Sequence, residues 1–256
     1  MKLAARQLIL CNDDGIDAPG LAALKRAAER LAPSRVVAPV GPWSGRGHAI
    51  TTHEPIPILR MAEDRFAVEG TPADCVRLAL HHLAPGADWL LAGINRGGNL
   101  GTDIHHSGTV AAVREAVIHG TPGIALSHYI ARGRQPDWDR ASAWAALVLE
   151  VLFRRPWTPG TFWNVNFPHP EPGVSAQPEI VDCPLDPSPL PLSYRVEPEG
   201  ALYDGDYQSR ARQTGADVDL CFSGRITVSL VPLIPPAEHD ALAPARDPAG
   251  HARPDV

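Results

Sequence analysis

Residues 7–20 read Gln-Leu-Ile-Leu-Cys-Asn-Asp-Asp-Gly-Ile-Asp-Ala-Pro-Gly. The apolar run Leu8 to Cys11 has the length of a buried strand and stops abruptly at Asn12, Asp13, Asp14 and Gly15. Pro19-Gly20 then opens a segment whose Leu21, Leu24, Ala28 and Leu31 share one helical face. Strand, acidic turn and helix follow in that order, so two adjacent carboxylates are expected at the carboxyl end of a first strand. Open parallel sheets bind their ligands at that end. Adjacent carboxylates repel unless a cation or solvent relieves them, which makes the turn a candidate cation site. A plain turn is the competing reading, because Asn, Asp and Gly are all common turn formers.

Working outward, Arg35 to Val40 reads as a second strand running into Gly41-Pro42-Trp43-Ser44-Gly45-Arg46-Gly47-His48. Two short apolar stretches, Ile56 to Leu59 and Phe66 to Val68, fit a small hairpin. Thr71-Pro72-Ala73-Asp74 is a helix start with Thr as cap, Pro in the first position and Asp placed to reach back; the helix should run to about His82. Asp88 to Ala92 is a strand that ends in the loop Gly93 to Asp103, which holds four glycines and two asparagines. Ser107-Gly108-Thr109 opens a helix that should end near Gly120, and the free amides of such a start suit phosphate. A strand over Gly123 to Ser127, a long helix over Trp138 to Phe153 and a strand over Phe162 to Phe167 complete the alternation.

That alternation predicts an α/β fold, a doubly wound and mostly parallel sheet, over residues 1–167. From Pro168 the composition shifts: residues 168–200 are crowded with Pro and Glu, so an irregular excursion is expected. Asp217 to Cys221 and Arg225 to Leu233 read as strands that return to the body or pair as an arm, and the tail from Pro235 as a disordered or draped segment. Residues 168–256 are thus a C-terminal β extension of the same domain, available for contacts between subunits.

The 256 residues are 44% hydrophobic and 20% charged, an ordinary globular balance. The net charge of −6 comes without a basic stripe, which argues against a nucleic-acid polymer as partner. Cys11, Cys75, Cys183 and Cys221 are widely spaced, suggest neither zinc nor a disulfide framework, and are expected to be reduced. The short run before Asn12 does not make a signal peptide, no apolar run reaches membrane-spanning length, and a cytoplasmic location is expected.

In a parallel sheet the loops that directly follow strands emerge along one edge, so Asp13-Asp14, Ser44 and Asn95 should meet in space. Their carboxylate, hydroxyl and amide oxygens form a hard ligand set suited to Mg²⁺, Mn²⁺ or Ca²⁺ and poorly suited to copper or structural zinc. The helix start at Ser107 belongs to the same edge.

Several stretches together resemble one family. They are N-D-D-G-I-D-A-P-G at 12–20, V-V-A-P at 36–39 with S-G at 44–45, G-T-P-A-D-C-V at 70–76, G-I-N-R-G-G-N-L-G-T-D at 93–103, S-G-T-V at 107–110 and N-V-N-F-P at 164–168. This set is similar to the SurE, or survival-protein-E, 5'/3'-nucleotidases. The resemblance implies a Rossmann-like domain whose C-terminal extension exchanges between subunits of a homodimer or homotetramer. It also implies a metal-dependent phosphomonoesterase acting on nucleoside 5'- or 3'-monophosphates, with short polyphosphate a further substrate of some members. Asp13, Asp14, Ser44 and Asn95 would hold one divalent ion per subunit, Mg²⁺ or Mn²⁺. Asn12 joins Asp13 and Asp14 in the catalytic group, and Asn99, Ser107, Gly108 and Thr109 would surround the phosphate. Val40 departs from the Asp usual after Ala-Pro, and His105-His106 from a common Tyr.

His48, His105 and His106 lie in the edge loops and read as surface or supporting residues more readily than as the proton donor. Arg46 and Arg96 are candidates for attracting phosphate, and Trp43 for stacking on a base. Water attack is preferred to a covalent aspartyl intermediate, because Asp13-Asp14 lacks the D-x-D spacing of haloacid-dehalogenase phosphatases. A dinucleotide oxidoreductase is disfavoured, since the first turn has acid where pyrophosphate needs amides. A catalytically silent nucleotide- or metal-binding regulator on the same fold is the alternative.

Overall fold

The computed structural model describes residues 7–169 and 177–234. A nine-stranded sheet forms the centre, in the order β3-β4-β2-β1-β5-β6-β7-β11-β8. Its strands are β1 (Leu8–Cys11), β2 (Ser34–Pro39), β3 (Ile58–Ala62), β4 (Arg65–Val68), β5 (Trp89–Arg96), β6 (Gly123–His128), β7 (Thr161–Phe167), β8 (Ile180–Asp182) and β11 (Ile226–Pro232). The six strands from β4 to β7 are mutually parallel, whereas β3 and β11 run antiparallel to β4 and β7. Two further strands, β9 (Tyr194–Glu197) and β10 (Gly200–Tyr203), form a separate antiparallel hairpin.

Alternation along β1 explains the layers. Leu8 and Leu10 face one core with α1 (Pro19–Ala28) and α4 (Trp138–Leu152), while Ile9 and Cys11 face the other with α2 (Pro72–Leu78) and α3 (Gly108–Ile118). All four strand residues are fully buried, and burial of such side chains is worth about 1.5–3 kcal/mol each. The α2 start has the expected capping box: Thr71 Oγ1 accepts from the Asp74 N–H, and the Asp74 carboxylate accepts from the Thr71 N–H. A π-helical turn, Ala79–Leu83, carries that helix on to the predicted end.

Two expectations differ. Asp217 to Cys221 is not a strand but the start of helix α5 (Asp217–Phe222). Its apolar residues alternate in sequence, yet Val218 and Cys221, three apart, are the pair that packs with Leu100 and Tyr129. The Asp217 carboxylate accepts the Val218 N–H and supports the helical first turn. Second, β5 continues to Arg96 instead of ending at Ala92. A register shift between Ala92 and Asn95 accommodates Gly93, whose φ is +136° and where a Cβ would lie 2.2 Å from the Leu126 carbonyl oxygen. Asn95 therefore sits on the end of a strand.

The excursion after Pro168 contains regular elements: β8 joins the main sheet, and β9 and β10 form their hairpin. The expectation for the tail from Pro235 lies outside the described residues. Among the described residues, no helix is long and apolar enough to cross a membrane. All four cysteines are free thiols; Cys11, Cys75 and Cys221 are buried and Cys183 is half-buried.

Candidate active site

The chain leaves β1 for β2 on one side while β5 pairs on its other side, so the switch point of the sheet lies between β1 and β5. A crevice at the carboxyl ends of such strands is where doubly wound sheets bind ligands. The Asn12 to Gly15 turn stands there. The Asn12 side-chain amide donates to the Gly15 carbonyl at 2.8 Å and closes the turn, while its Oδ1 is buried with no protein partner.

Asp13 is 3% exposed and is held from α3: the Thr109 hydroxyl donates to Asp13 Oδ1. Gly108 lies directly against the same carboxylate, where a Cβ would come within 2.7 Å of Asp13 Cβ and 2.9 Å of Oδ2. Ser107 caps this helix by accepting the Val110 N–H at 3.0 Å. Burial pushes the Asp13 carboxyl up to about 6, against the Thr109 hydrogen bond, and the neighbouring Asp14 charge adds to the rise. Burial also raises the half-buried Asp14, opposed by the Arg96 N–H, which donates to its Oδ2 at 3.2 Å, and by the Arg96 charge. β5 thereby brings Asn95, one residue before Arg96, beside the acidic turn. The Asn95 amide donates to the Gly97 carbonyl at 3.0 Å, which leaves its Oδ1 as the free end.

The loop carrying Ser44 is tied down at several points. The Trp43 N–H donates to the Asp13 carbonyl at 2.7 Å and the Gly47 N–H to the His106 carbonyl at 3.2 Å. Further along, the Thr51 N–H and hydroxyl both donate to Asp74, each at 2.8 Å, and Thr71 donates to the Ala49 carbonyl at 2.7 Å. Ser44 itself is exposed one residue beyond the Asp13 contact. The turn, the Ser44 loop, the end of β5 and the start of α3 thus share one edge, as their positions after strands predict.

Asn99 is placed differently from its neighbours. It is buried, its side-chain amide donates to Ser127 Oγ at 2.7 Å, and its N–H and carbonyl are taken by Asn166 and by Asn164 with Asn166. These bonds fasten the loop to β6 and β7. Arg46 lies over the Trp43 ring at 4.7 Å. His105 and His106 are exposed.

Sequence reasoning missed two clusters beside this edge. Glu115, on α3 and 3% exposed, accepts from Arg77 at 3.0 Å and pairs with His48 at 2.8 Å and His119 at 3.0 Å. Burial favours its neutral form, but His48, His119 and Arg77 outweigh that and hold the carboxyl at about 2. His48 is therefore a tether from the Ser44 loop to α3. The second cluster joins the C-terminal third to the loop after β5: Arg210 donates to both oxygens of Asp103, at 3.0 and 2.8 Å, and the Tyr207 hydroxyl to Asp103 Oδ2 at 2.7 Å. No local motif marks Arg210 or Tyr207; only the buried Asp103 they satisfy does.

The chain is similar to known proteins over the stretch that carries this edge. The profile of the family described as survival protein SurE matches residues 8–182, which includes the acidic turn, the Ser44 loop, β5 and the start of α3. A Nostoc protein whose 5'-nucleotidase name is provisional is 48% identical over 222 residues, 87% of this chain and 97% of that protein. The 5'-nucleotidase SurE of Rhizorhabdus wittichii is 41% identical over 204 residues, 77% of this chain and 80% of its own. The crystal structure of the SurE protein from Aquifex aeolicus superposes with a TM-score of 0.78 at 28% identity, covering 92% of this chain and 96% of that one. With the profile spanning the whole switch-point edge and its relatives aligned over most of their length, the chain belongs to the SurE family.

Proposed function

We propose that this edge hydrolyses nucleoside 5'-monophosphates, and 3'-monophosphates as a further substrate, to nucleoside and phosphate, with one divalent cation held by Asp13, Asp14, Ser44 and Asn95. The observation that carries the reading is the contact of a buried carboxylate with the N-terminal start of a helix, the end whose free amides suit an anion. Asp13 touches Gly108 and Thr109 and has Asp14 as its neighbour. Two carboxylates and a phosphate gathered at one place repel one another, and a cation among them turns the arrangement into a binding site.

The residues fit such an ion. Their oxygens are hard donors, and among the described residues no group of three or more His, Cys, Asp or Glu side chains is placed to hold a metal ion in competition with them. The two carboxylates would supply charge, and Ser44 and Asn95 neutral oxygens. When bound, the ion supplies charge neutralisation at the phosphoryl group and an acidified water. The remaining work falls to the chain. The start of α3 at Ser107-Gly108-Thr109 orients the phosphate, the Thr109 hydroxyl fixes the Asp13 carboxylate, and Asn12 keeps the turn closed.

The names of the aligned relatives support the substrate class. Four free thiols and the lack of a membrane-crossing helix among the described residues suit a cytoplasmic enzyme. Phosphate release from AMP and GMP, measured with chelator and again after Mg²⁺, Mn²⁺ or Zn²⁺ is restored, tests the proposal. Release that depends on Mg²⁺ or Mn²⁺ is expected. No release with any of the three, or recovery with zinc alone, rejects the site as drawn.

A further inference from the structure

Arg210 is 2% exposed, and its only hydrogen-bonding nitrogen is the one that meets Asp103; Nε and Nη2 are buried without a partner. Its guanidinium also lies over the Tyr207 ring at 5.1 Å. A buried ion pair with two unmet donors is a poor device for stability, since desolvation of the ions is costly and an apolar substitute often packs as well. Such a pair does fix geometry, and the geometry it fixes here is the approach to the phosphate turn.

Asp103 lies in a 3₁₀ turn over Gly101–His105. Its carboxylate takes Arg210, Tyr207 and the Leu100 N–H, and its carbonyl accepts the N–H groups of His106 at 3.0 Å and Ser107 at 3.2 Å. Ser107 then caps α3, where Gly108 and Thr109 hold Asp13. The same stretch carries the His106 carbonyl that receives Gly47 from the Ser44 loop. Other contacts from the C-terminal third close on the loop beside it: Asp217 accepts the Gly101 N–H at 2.7 Å, and Leu100 is buried with Val218 and Cys221.

We propose that Arg210 and Tyr207 are positioning residues for the phosphate turn, acting through Asp103 to set the start of α3 at Ser107, Gly108 and Thr109. This rests on the reading of that turn as the phosphate site. Cutting the network should loosen the turn and weaken phosphate binding while leaving the metal-ligand side chains in place.

The test uses the full chain and the variants Tyr207→Phe, Arg210→Met and Arg210→Lys. Amide hydrogen exchange over residues 104–110, inhibition by inorganic phosphate, KM and kcat for AMP, and the Mn²⁺ concentration for half-maximal activity are read for each. Tyr207→Phe removes one charge-assisted hydrogen bond and should raise KM and the phosphate inhibition constant about threefold, and Arg210→Met about tenfold, with kcat less affected. Exchange over 104–110 should speed up in both, Mn²⁺ dependence should stay within about twofold, and Arg210→Lys should recover only part of the loss, because the charge is kept but the planar group over the Tyr207 ring is not. Should Arg210→Met fail to fold, Tyr207→Phe decides alone, since it deletes only a hydroxyl. Unchanged exchange over 104–110 and unchanged phosphate inhibition in a variant with a lowered Tm would overturn the proposal and leave the network a structural one. Absence of AMP hydrolysis by the unmodified protein would instead reject the nucleotidase reading, and exchange over 104–110 would still decide whether the network orders the turn.

Discussion

Gly108 and Asp13 are packed so closely that no side chain fits between them: a Cβ on Gly108 would stand 2.7 Å from Asp13 Cβ and 2.9 Å from its Oδ2. Asp13 comes from the turn after β1 and cannot retreat, because its carbonyl is held by Trp43 and its Oδ1 by Thr109. Gly108→Ala should therefore displace the carboxylate and the helix start together. Turnover of AMP is expected to fall at least about 100-fold for a displacement near 1 Å, whereas Tm drops by only a few degrees. Steady-state kinetics and thermal melting on the same preparation check this; activity within about threefold of the parent would show that the contact is not part of the working site.

Glu115 should contribute to the acid limb of stability. Its folded carboxyl is held at about 2, below the ordinary 4.5, so its contribution is full above about pH 4.5 and is lost as pH falls toward 2. The gap corresponds to ~3 kcal/mol at most, given the burial of this group. Glu115→Gln should lower stability at pH 7 and flatten the decline between pH 4.5 and 2. Denaturant unfolding across that range, parent against variant, is the measurement, and parallel curves would remove the charge cluster from the account.

Much of the scaffold was legible because its signals are local. Leu8 to Cys11, the Thr71 box and the Ser107 cap each carry their own periodicity or hydrogen-bond chemistry, and a parallel sheet then forces their loops onto one edge. What escaped depends on partners far away in sequence. Asp217 to Phe222 alternates like a strand, and only the docking of Val218 and Cys221 beside Leu100 makes it a helix. Glu115 sits inside a helical run with nothing nearby to announce Arg77 or His48. Arg210 and Asp103 are 107 residues apart, and their pairing is a property of the closed fold. The Asn99 role expected from its motif is also blurred by tertiary contacts, since Ser127 takes its side-chain amide.

The hairpin of β9 and β10 should be a subunit contact. It is separate from the main sheet, and an isolated two-stranded hairpin is marginal in water. Its apolar side chains are nevertheless uncovered in the single chain: Val196 is 82% exposed and Leu202 52%, with Tyr194 and Tyr203 also open. A second copy of the chain, in a homodimer or homotetramer, would cover them. Light scattering at micromolar concentration should give a multiple of the chain mass, and Val196→Asp with Leu202→Lys should shift it toward a single chain. A single-chain mass for the parent protein would dismiss the contact.

The acidic turn itself is tested by removing one charge at a time. Asp13→Asn keeps the size and the acceptor for Thr109 but lowers the charge available to a cation, so metal affinity and turnover should fall together, by at least about tenfold each. Stability without metal should move the other way. Because the folded Asp13 carboxyl is raised to about 6 from 3.8, its favourable share is complete below about pH 3.8 and is lost as pH rises through 6. At pH 8 the ionised group is a burden of ~3 kcal/mol that Asn does not carry, so the variant in chelator should melt higher than the parent at pH 8, with the advantage shrinking toward pH 4. Asp14→Asn should act in the same direction by a smaller amount, since Asp14 is only half-buried and already accepts the Arg96 N–H. A residue that merely turns the chain behaves otherwise, because Asn turns it equally well. Unchanged metal affinity in both variants, together with a lower apo Tm at pH 8, would reduce Asn12-Asp13-Asp14-Gly15 to a turn and remove the centre of the proposed phosphatase.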